Sequence, residues 1–311
     1  MAIAANLAAL ALGTETHGSL VHPAAQLGVV AIKSTPGLIS RSGITPGSFY
    51  HDTPGPFAHD VLSAALSLDV IYGPDPFDNL TWNQYGRTPV DGFAVYARGA
   101  VKGLKVGVPW NPYWNTTSVI NSPGNRELFE GSLTQLATAG AEIYNVTIPG
   151  IEDFVNIYGF GQNSDVYSTD TTHDGLIAFY NLLAVGYKEW LEDWTFSPGD
   201  ERINFTSLEN MRDWNRAHNN VTGVLGNNTW WYNVVSGQDF YDSAVVSEGS
   251  LNDTFWTAMD YTRRNARSII DRGYAYVTED GEVVELDALV IPSQNAGVCF
   301  PASCFMSYTD D

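Results

Sequence analysis

The segment 104–148 constrains the fold more than any other part of the sequence. Leu104-Lys105-Val106-Gly107-Val108 is a short apolar run that ends at Pro109, which is typical of a buried strand. A helical pattern follows over 126–139, and a second strand pattern covers 142–148. This order places two strands side by side in parallel, with the helix against one face of the sheet. The sequence therefore predicts an α/β fold.

Helical patterns cover much of the remaining chain. Apolar spacing predicts helices over 61–71, 173–193 and 253–271, a capping box at 206–209 opens another, and 286–291 returns to a strand pattern. No internal repeat, low-complexity segment or linker divides the sequence. We therefore expect residues 1–311 to form a single domain.

The first residues, 1–12, form an apolar run, MAIAANLAALAL. A run of about a dozen residues is shorter than the roughly 20 that a membrane span requires. Neither a preceding basic residue nor a following processing site accompanies it, so the pattern is not typical of a signal peptide. Ala and Leu without a polar face predict a helix that is buried on all sides.

The net charge argues against nucleic acid as a partner. The chain carries 35 Asp and Glu against 15 Lys and Arg, a formal charge of −20. Binding to nucleic acid needs clustered basic side chains, which this sequence lacks, so we predict no nucleic-acid partner. An acidic membrane surface would repel this chain for the same reason.

No zinc-protease helix, Walker loop or dinucleotide fingerprint is present, so we predict no cofactor and no metal. Cys299 and Cys304 cannot form a four-thiolate site, and their spacing leaves a disulfide between them open.

Asn-x-Thr tripeptides are unusually frequent. Chance predicts roughly three N-glycosylation sequons in a chain of this composition. The chain has seven, at Asn79, Asn115, Asn145, Asn204, Asn220, Asn227 and Asn252. A polar, Asn-rich surface is one interpretation, and an N-glycosylated protein of the secretory pathway is the other. We favour the second, although the chain shows no signal-peptide pattern.

One stretch has the composition of a catalytic loop. Gly13-Thr14-Glu15-Thr16-His17-Gly18-Ser19 follows the apolar run, with two glycines and a serine. Glycines allow a tight turn and close approach of a ligand to the main chain. Successive N–H groups in such a turn can converge on an oxyanion, as acyl transfer requires. On spacing alone, an ordinary Gly/Thr/Ser connection remains an alternative interpretation.

Residues 13–19 resemble the core motif of the amidase signature family. The resemblance continues in Gly28-Val29-Val30-Ala31-Ile32-Lys33-Ser34-Thr35-Pro36-Gly37 and in Asp52-Thr53-Pro54-Gly55-Pro56. It is dense up to about residue 75 and thins afterwards. The resemblance implies an amidase-signature fold, in which a mixed central β-sheet is flanked by helices on both faces. It also implies that residues 1–311 are a partial amidase domain, truncated at both ends.

The family resemblance implies a hydrolase that cleaves the C–N bond of a small-molecule carboxylic amide. Ser19 takes the place of the nucleophile that forms the acyl-enzyme. The backbone N–H groups of Thr16, His17, Gly18 and Ser19 take the place of the oxyanion hole. The family's other catalytic groups, a Lys and a Ser preceded by a cis peptide bond, lie upstream of the matched motif and have no counterpart in this sequence. We therefore expect this chain to be inactive or impaired; the alternative is a non-catalytic amidase-like glycoprotein that binds a ligand without turnover.

A serine hydroxyl needs an adjacent base near neutral pH. Lys33 corresponds to a framework position of the family rather than to its catalytic Lys. His17 and His22 are close to Ser19 in sequence, so a Ser/His pair is possible in principle. The sequence lacks the Gly-x-Ser-x-Gly elbow of α/β-hydrolases, which argues against a triad of that type.

Overall fold

The computed structural model describes residues 2–16, 18–99, 101–114, 125–151, 175–192, 205–217 and 238–292. The chain divides into two compact units, each made of separated stretches. The first unit comprises Met1–Arg41, Thr53–Ser164 and Arg263–Asp311, and the second comprises Ser42–Asp52 and Asp165–Thr262. Because each unit draws on several stretches, the two are not successive domains along the chain. The expectation of a single domain stays a prediction.

An antiparallel sheet lies in the first unit. Its strands are β1 (Leu10–Glu15), β2 (Val30–Ala31) and β3 (Thr53–Ala58), with β3 in the centre. β1 pairs with β3 over its whole length, from Leu10 opposite Ala58 to Glu15 opposite Thr53. Helix α1 (Val21–Leu27) connects β1 to β2. The sheet therefore brings the two ends of the family motif, 13–19 and 52–56, onto adjacent strands.

The prediction of a buried helix over 1–12 is wrong. The chain forms turns at 2–7 and then enters strand β1, and Leu7, Leu10 and Leu12 are 81%, 48% and 66% exposed. Helix propensity is a weak preference, and six residues of backbone pairing with β3 override it here. Strand alternation leaves Leu10, Leu12 and Thr14 exposed and turns Glu15 inward.

Helix α2 (Val61–Ile71) confirms the helix predicted over 61–71. The Asp60 side chain begins it by accepting a hydrogen bond from the Ser63 N–H at 2.8 Å, the usual role of an N-cap aspartate. Its buried residues, Ala64, Ala65 and Leu68, belong to the hydrophobic core, and α2 lies against β3.

Glycine is required at position 55 by close packing. A Cβ atom there would overlap the backbone carbonyl oxygen of Ile32 and would come within 2.6 Å of the Leu20 side chain. Backbone atoms cannot move aside as a flexible side chain can. In contrast, a Cβ atom at Gly131, in the middle of a helix, would meet nothing within 4 Å.

We expect Gly55→Ala and Gly131→Ala to change stability in opposite directions. Gly55→Ala should destabilise the protein by at least about 1–3 kcal/mol, because it overpacks the sheet. Gly131→Ala should stabilise it by about 0.5–1 kcal/mol, because alanine restricts the unfolded chain and favours the helix. Urea denaturation of both variants checks this, and equal effects at the two positions would contradict the packing argument.

Arg41 and Asp78 form a buried ion pair in the first unit. Asp78 begins a 3₁₀ helix, Asn79–Gln84, and a shorter one follows at Tyr96–Arg98. Asp78 accepts hydrogen bonds from the Arg41 backbone N–H at 2.9 Å and from its Nε at 2.8 Å, and both side chains are more than nine-tenths buried. Burial raises the pKa of the Asp78 carboxyl, but the Arg41 hydrogen bonds and charge outweigh it and hold the pKa below 3.8.

Acidification should remove the stabilisation that the Arg41–Asp78 ion pair gives to the fold. Because the folded-state pKa is lowered, the pair stabilises the fold above the unfolded pKa and the stabilisation is lost as pH falls through the folded value. At neutral pH, Asp78→Asn should cost about 2–3 kcal/mol. Its deficit relative to the parent protein should shrink in denaturation curves recorded well below pH 4. The exposed Asp280→Asn change should have little effect at either pH, and a deficit independent of pH would contradict the assignment.

A second, parallel sheet confirms the predicted strand–helix–strand unit. In the sheet, β4 (Lys105–Pro109) pairs in parallel with β5 (Glu142–Val146), with Lys105 opposite Glu142. Helix α3 (Asn125–Thr138) lies between these two strands in the sequence. A short π-helical turn, Trp110–Trp114, follows β4. Pro109 is the last residue of the strand rather than the residue after it. The first unit is therefore α/β, as predicted.

Besides the residues up to Thr262 of a longer helix, the described part of the second unit contains three helices: α4 (Gly175–Glu192), α5 (Leu208–Ala217) and α6 (Asp239–Ser247). They share a core of Leu183, Tyr187, Leu208 and Ala244. The Ser207 hydroxyl caps α5 by accepting from the Asn210 N–H at 3.1 Å, so the predicted capping box is wrong by one residue. Burial raises the pKa of Tyr187, whose hydroxyl lies 2.9 Å from that of Tyr241.

Helix α7 (Asp253–Tyr274) leads into the last strands. It extends beyond the predicted 253–271 and is followed by a hairpin of β6 (Ala275–Val277) and β7 (Val283–Glu285). Strand β8 (Ala288–Leu289) then joins the parallel sheet beside β4, with Val106 opposite Ala288. In the part of the chain that the structure describes, parallel pairing (β4 with β5 and β8) and antiparallel pairing lie in separate sheets rather than in the one mixed sheet that the resemblance implied.

No helix among these residues has both the length and the apolar character needed to cross a membrane. Within the same residues, no group of three or more His, Cys, Asp and Glu side chains is arranged to hold a metal ion. Cys299 and Cys304 lie outside the described residues.

Candidate active site

The loop between β1 and α1 carries the predicted nucleophile. Its backbone turns at Gly18, where φ is +83°, a value that favours glycine. Gly18 is buried, whereas the next residue, Ser19, is exposed. Leu20 is fully buried and anchors the loop in the core. The structure thus presents Ser19 at the surface of a loop that is anchored in the interior on its C-terminal side.

A buried carboxylate joins the two ends of this loop. Glu15 is 0% exposed, and its Oε2 accepts hydrogen bonds from the N–H groups of Leu20 at 2.8 Å and Val21 at 3.0 Å. These bonds connect the last residue of β1 to the residues that begin α1. Bonds to a charged acceptor are stronger than neutral ones, so the bonds fix the turn that contains Gly18 and Ser19.

The other oxygen of Glu15, Oε1, is buried and has no hydrogen-bond partner among the described residues. A half-satisfied buried carboxylate is costly, since burial removes water that would otherwise bind to it. Glu15 therefore positions the loop, although its burial costs free energy.

Two backbone donors in the loop have no acceptor within the described part of the chain. The N–H groups of Leu20 and Val21 bind Glu15, and that of His22 binds the Gly18 carbonyl at 2.8 Å. Within the described residues, the N–H groups of Gly18 and Ser19 make no hydrogen bond. Free N–H groups next to a serine hydroxyl are the elements of an oxyanion hole.

The remaining predicted site residues have mixed outcomes. Thr16 is half-buried at the start of the loop, and His17 lies outside the described residues. His22 is the second residue of α1, and its Nδ1 is buried without a hydrogen-bond partner in the described part of the chain. Lys33 follows β2 and is half-buried. No hydrogen bond from a described residue reaches the Ser19 hydroxyl.

Two further motif segments meet beneath this loop. The Ser34 hydroxyl lies 2.6 Å from the Thr53 hydroxyl, and Ser34 also donates to the Pro54 carbonyl at 3.2 Å. Thr53 is the register partner of Glu15. Segments 28–37 and 52–56 therefore meet next to the strand that carries Glu15.

Comparisons with known proteins identify the family. A sequence profile of the family described as Amidase matches residues 1–219. The chain belongs to the amidase signature family. Its fold is the α/β fold of amidase-signature enzymes.

Among relatives, a protein of Schizosaccharomyces pombe whose name places it among amidases is 31% identical over 307 residues, covering 94% of this chain and 48% of that protein. A glutamyl-tRNA(Gln) amidotransferase polypeptide of Acidobacterium capsulatum is 38% identical over 148 residues, covering 48% of this chain and 29% of that polypeptide. The crystal structure of native peptide amidase from Stenotrophomonas maltophilia matches with a TM-score of 0.63 and 28% identity, over 85% of this chain and 46% of that one. The chain thus spans about half or less of the length of these proteins.

Sequence reasoning missed the role of Glu15. It treated the residue as one letter of a motif, although an acidic residue between an apolar run and a Gly/Ser loop is an available signal. An acid in that place has to be exposed, paired or bonded to backbone N–H groups. The strand assignment was needed to decide among these, because only strand alternation turns the side chain inward.

We expect Glu15→Ala to destabilise the protein by about 1–3 kcal/mol, because the N–H groups of Leu20 and Val21 would lose their acceptor. Glu15→Gln keeps one acceptor oxygen and should cost less than Glu15→Ala. Chemical denaturation gives both values. The matched control is Glu279→Ala in an exposed turn, which should stay within about 0.5 kcal/mol of the parent protein. Equal, negligible effects at both glutamates would contradict the positioning role.

Proposed function

We propose that this chain supplies the nucleophile and the oxyanion-binding loop of a serine-dependent amide hydrolase. One observation carries the proposal: the exposed Ser19 adjoins the N–H groups of Gly18 and Ser19, which have no acceptor among the described residues, on a loop whose two ends Glu15 joins. Membership of the amidase signature family supports the same activity.

The proposed reaction begins with attack of the Ser19 Oγ on the amide carbonyl carbon. The carbonyl oxygen becomes an oxyanion, which accepts hydrogen bonds from the N–H groups of Gly18 and Ser19, and from those of Thr16 and His17 in the same loop. One such donor contributes about 3–4 kcal/mol to the transition state. The C–N bond then breaks, the amine leaves with a proton, and water hydrolyses the acyl group from Ser19.

Proton removal from Ser19 is the demanding step. The structure gives the Ser19 hydroxyl no hydrogen-bonded base among the described residues. An oxyanion hole and substrate binding without the base leave only about 10³–10⁴-fold catalysis over water. We therefore propose that residues 1–311 alone turn over amides too slowly to measure.

For the substrate we propose a small carboxylic amide. The family relationship supports the amide bond as the target. The likeness to a peptide amidase, at 28% identity, adds peptide amides to the compounds worth testing.

Ser19→Ala tests the nucleophile. In residues 1–311 alone, the substitution should leave a baseline indistinguishable from that of the parent chain. In a chain extended at its N-terminus by the corresponding segment of the Schizosaccharomyces pombe relative, it should abolish product release from aliphatic, aryl and peptide amides. Ser132→Ala, at an exposed helix position, is the matched control and should retain full activity.

Two outcomes would revise the proposal. Robust Ser19-dependent hydrolysis by residues 1–311 alone would show that these residues contain a base, and His17→Ala would be the first variant to examine. An extended chain that binds amides without hydrolysing them would favour the alternative, a non-catalytic amidase-like protein.

A further inference from the structure

An exposed aromatic ring in the first unit lacks an obvious packing role. Phe77 is 84% exposed and lies in the turn before the 3₁₀ helix Asn79–Gln84. Single exposed apolar side chains are common, but Trp82 and Tyr85 lie nearby in sequence, are 46% and 65% exposed, and stack on each other with ring centroids 5.8 Å apart. Three exposed aromatic residues within nine positions are more than the singly scattered apolar side chains of an ordinary surface.

Phe77 and Asn79 are separated by one residue and are both exposed. The residue between them, Asp78, is extended, with φ −133° and ψ 95°. Residues on either side of an extended residue are about 7 Å apart, a distance that an aromatic ring and a sugar attached to the asparagine can bridge. Asp78 itself is buried and bonded to Arg41, so only its two neighbours are open to solvent.

Asn79 opens the sequon Asn79-Leu80-Thr81. It is exposed, and its side chain makes no hydrogen bond within the described part of the chain. Two other described sequons begin at exposed residues, Asn145 and Asn252. The residue two places before each is a half-buried Ile143 and a polar Ser250. Among these three, an exposed aromatic ring precedes Asn79 alone.

We propose that Asn79 carries an N-linked glycan whose first sugar packs against the ring of Phe77. The Asn79 side-chain nitrogen forms a bond to C1 of an oligosaccharide held on a lipid diphosphate. The C1–O bond to the diphosphate breaks, the lipid diphosphate leaves, and the amide nitrogen loses one proton. This assigns the chain to the secretory pathway and is independent of whether it hydrolyses amides.

The burial of Thr81 determines when the glycan can be attached. Its hydroxyl is fully buried, accepts from the Asp75 N–H at 2.7 Å and lies 2.7 Å from the Asp78 carbonyl oxygen. The sequon threonine is therefore inaccessible once the turn has formed, so the glycan must be attached before this segment folds. After folding, the apolar face of the sugar can cover Phe77, and burial of apolar surface stabilises the turn.

Site occupancy is the first test. Residues 1–311 are secreted from a glycosylating yeast host behind an added leader, then denatured and digested. Mass spectrometry after treatment with an N-glycan-cleaving amidase in heavy-oxygen water should find labelled Asp at position 79 in most molecules. Asn79→Gln should remove that glycopeptide, and Thr81→Ser should retain it. An unmodified Asn79 in the secreted parent chain would overturn the proposal, whatever the other sequons show.

A thermal cycle tests the contact with Phe77. With Asn79 glycosylated, Phe77→Ala should lower the melting temperature by about 1–3 °C. In the Asn79→Gln background the same change should have almost no effect. Asn145→Gln is the matched control, because it removes a sequon without a preceding exposed aromatic ring; there the Phe77→Ala effect should persist in full. An equal effect of Phe77→Ala with and without the Asn79 glycan would show that the sugar does not pack on the ring.

Discussion

The hydrogen bonds from the N–H groups of Leu20 and Val21 to the Glu15 carboxylate set the geometry of the candidate site. They join the end of a strand to the start of a helix across only five residues, so the intervening chain has little freedom. Within that short loop, a glycine with positive φ and an exposed serine occupy consecutive positions. The observed bonds of Glu15 go to backbone N–H groups, so it fixes the backbone of the candidate site.

The placement of Glu15 depends in turn on β3, the central strand of the antiparallel sheet. β3 aligns β1 residue by residue, and its Thr53 lies opposite Glu15. It also bonds to Ser34 through hydroxyl groups, and its Gly55 allows the Ile32 carbonyl and Leu20 to approach closely. Motif segments that are separated in sequence are therefore neighbours around one strand. A substitution in β3 such as Gly55→Ala would therefore disturb the loop through Leu20.

The surface around Asp78 is organised by an ion pair rather than by strand pairing. Arg41 and Asp78 neutralise each other in the interior, whereas the residues on either side of Asp78, Phe77 and Asn79, are exposed. A strongly acidic chain has few cations, and one of them is used here to hold an acidic residue inside.

The sequence by itself determined the family, the strand–helix–strand unit over 104–148, and the helix at 61–71, because these depend on short-range periodicity and on motif residues that adjoin one another. It also located the loop at Gly18 and Ser19. Only the tertiary structure decided that residues 10–15 form a strand, since their apolar composition fits a helix and the pairing partner lies some forty residues away. Glu15 acquired its role through that pairing: the side chain points inward only in a two-residue repeat, and the N–H groups it binds become available only where the chain turns into α1.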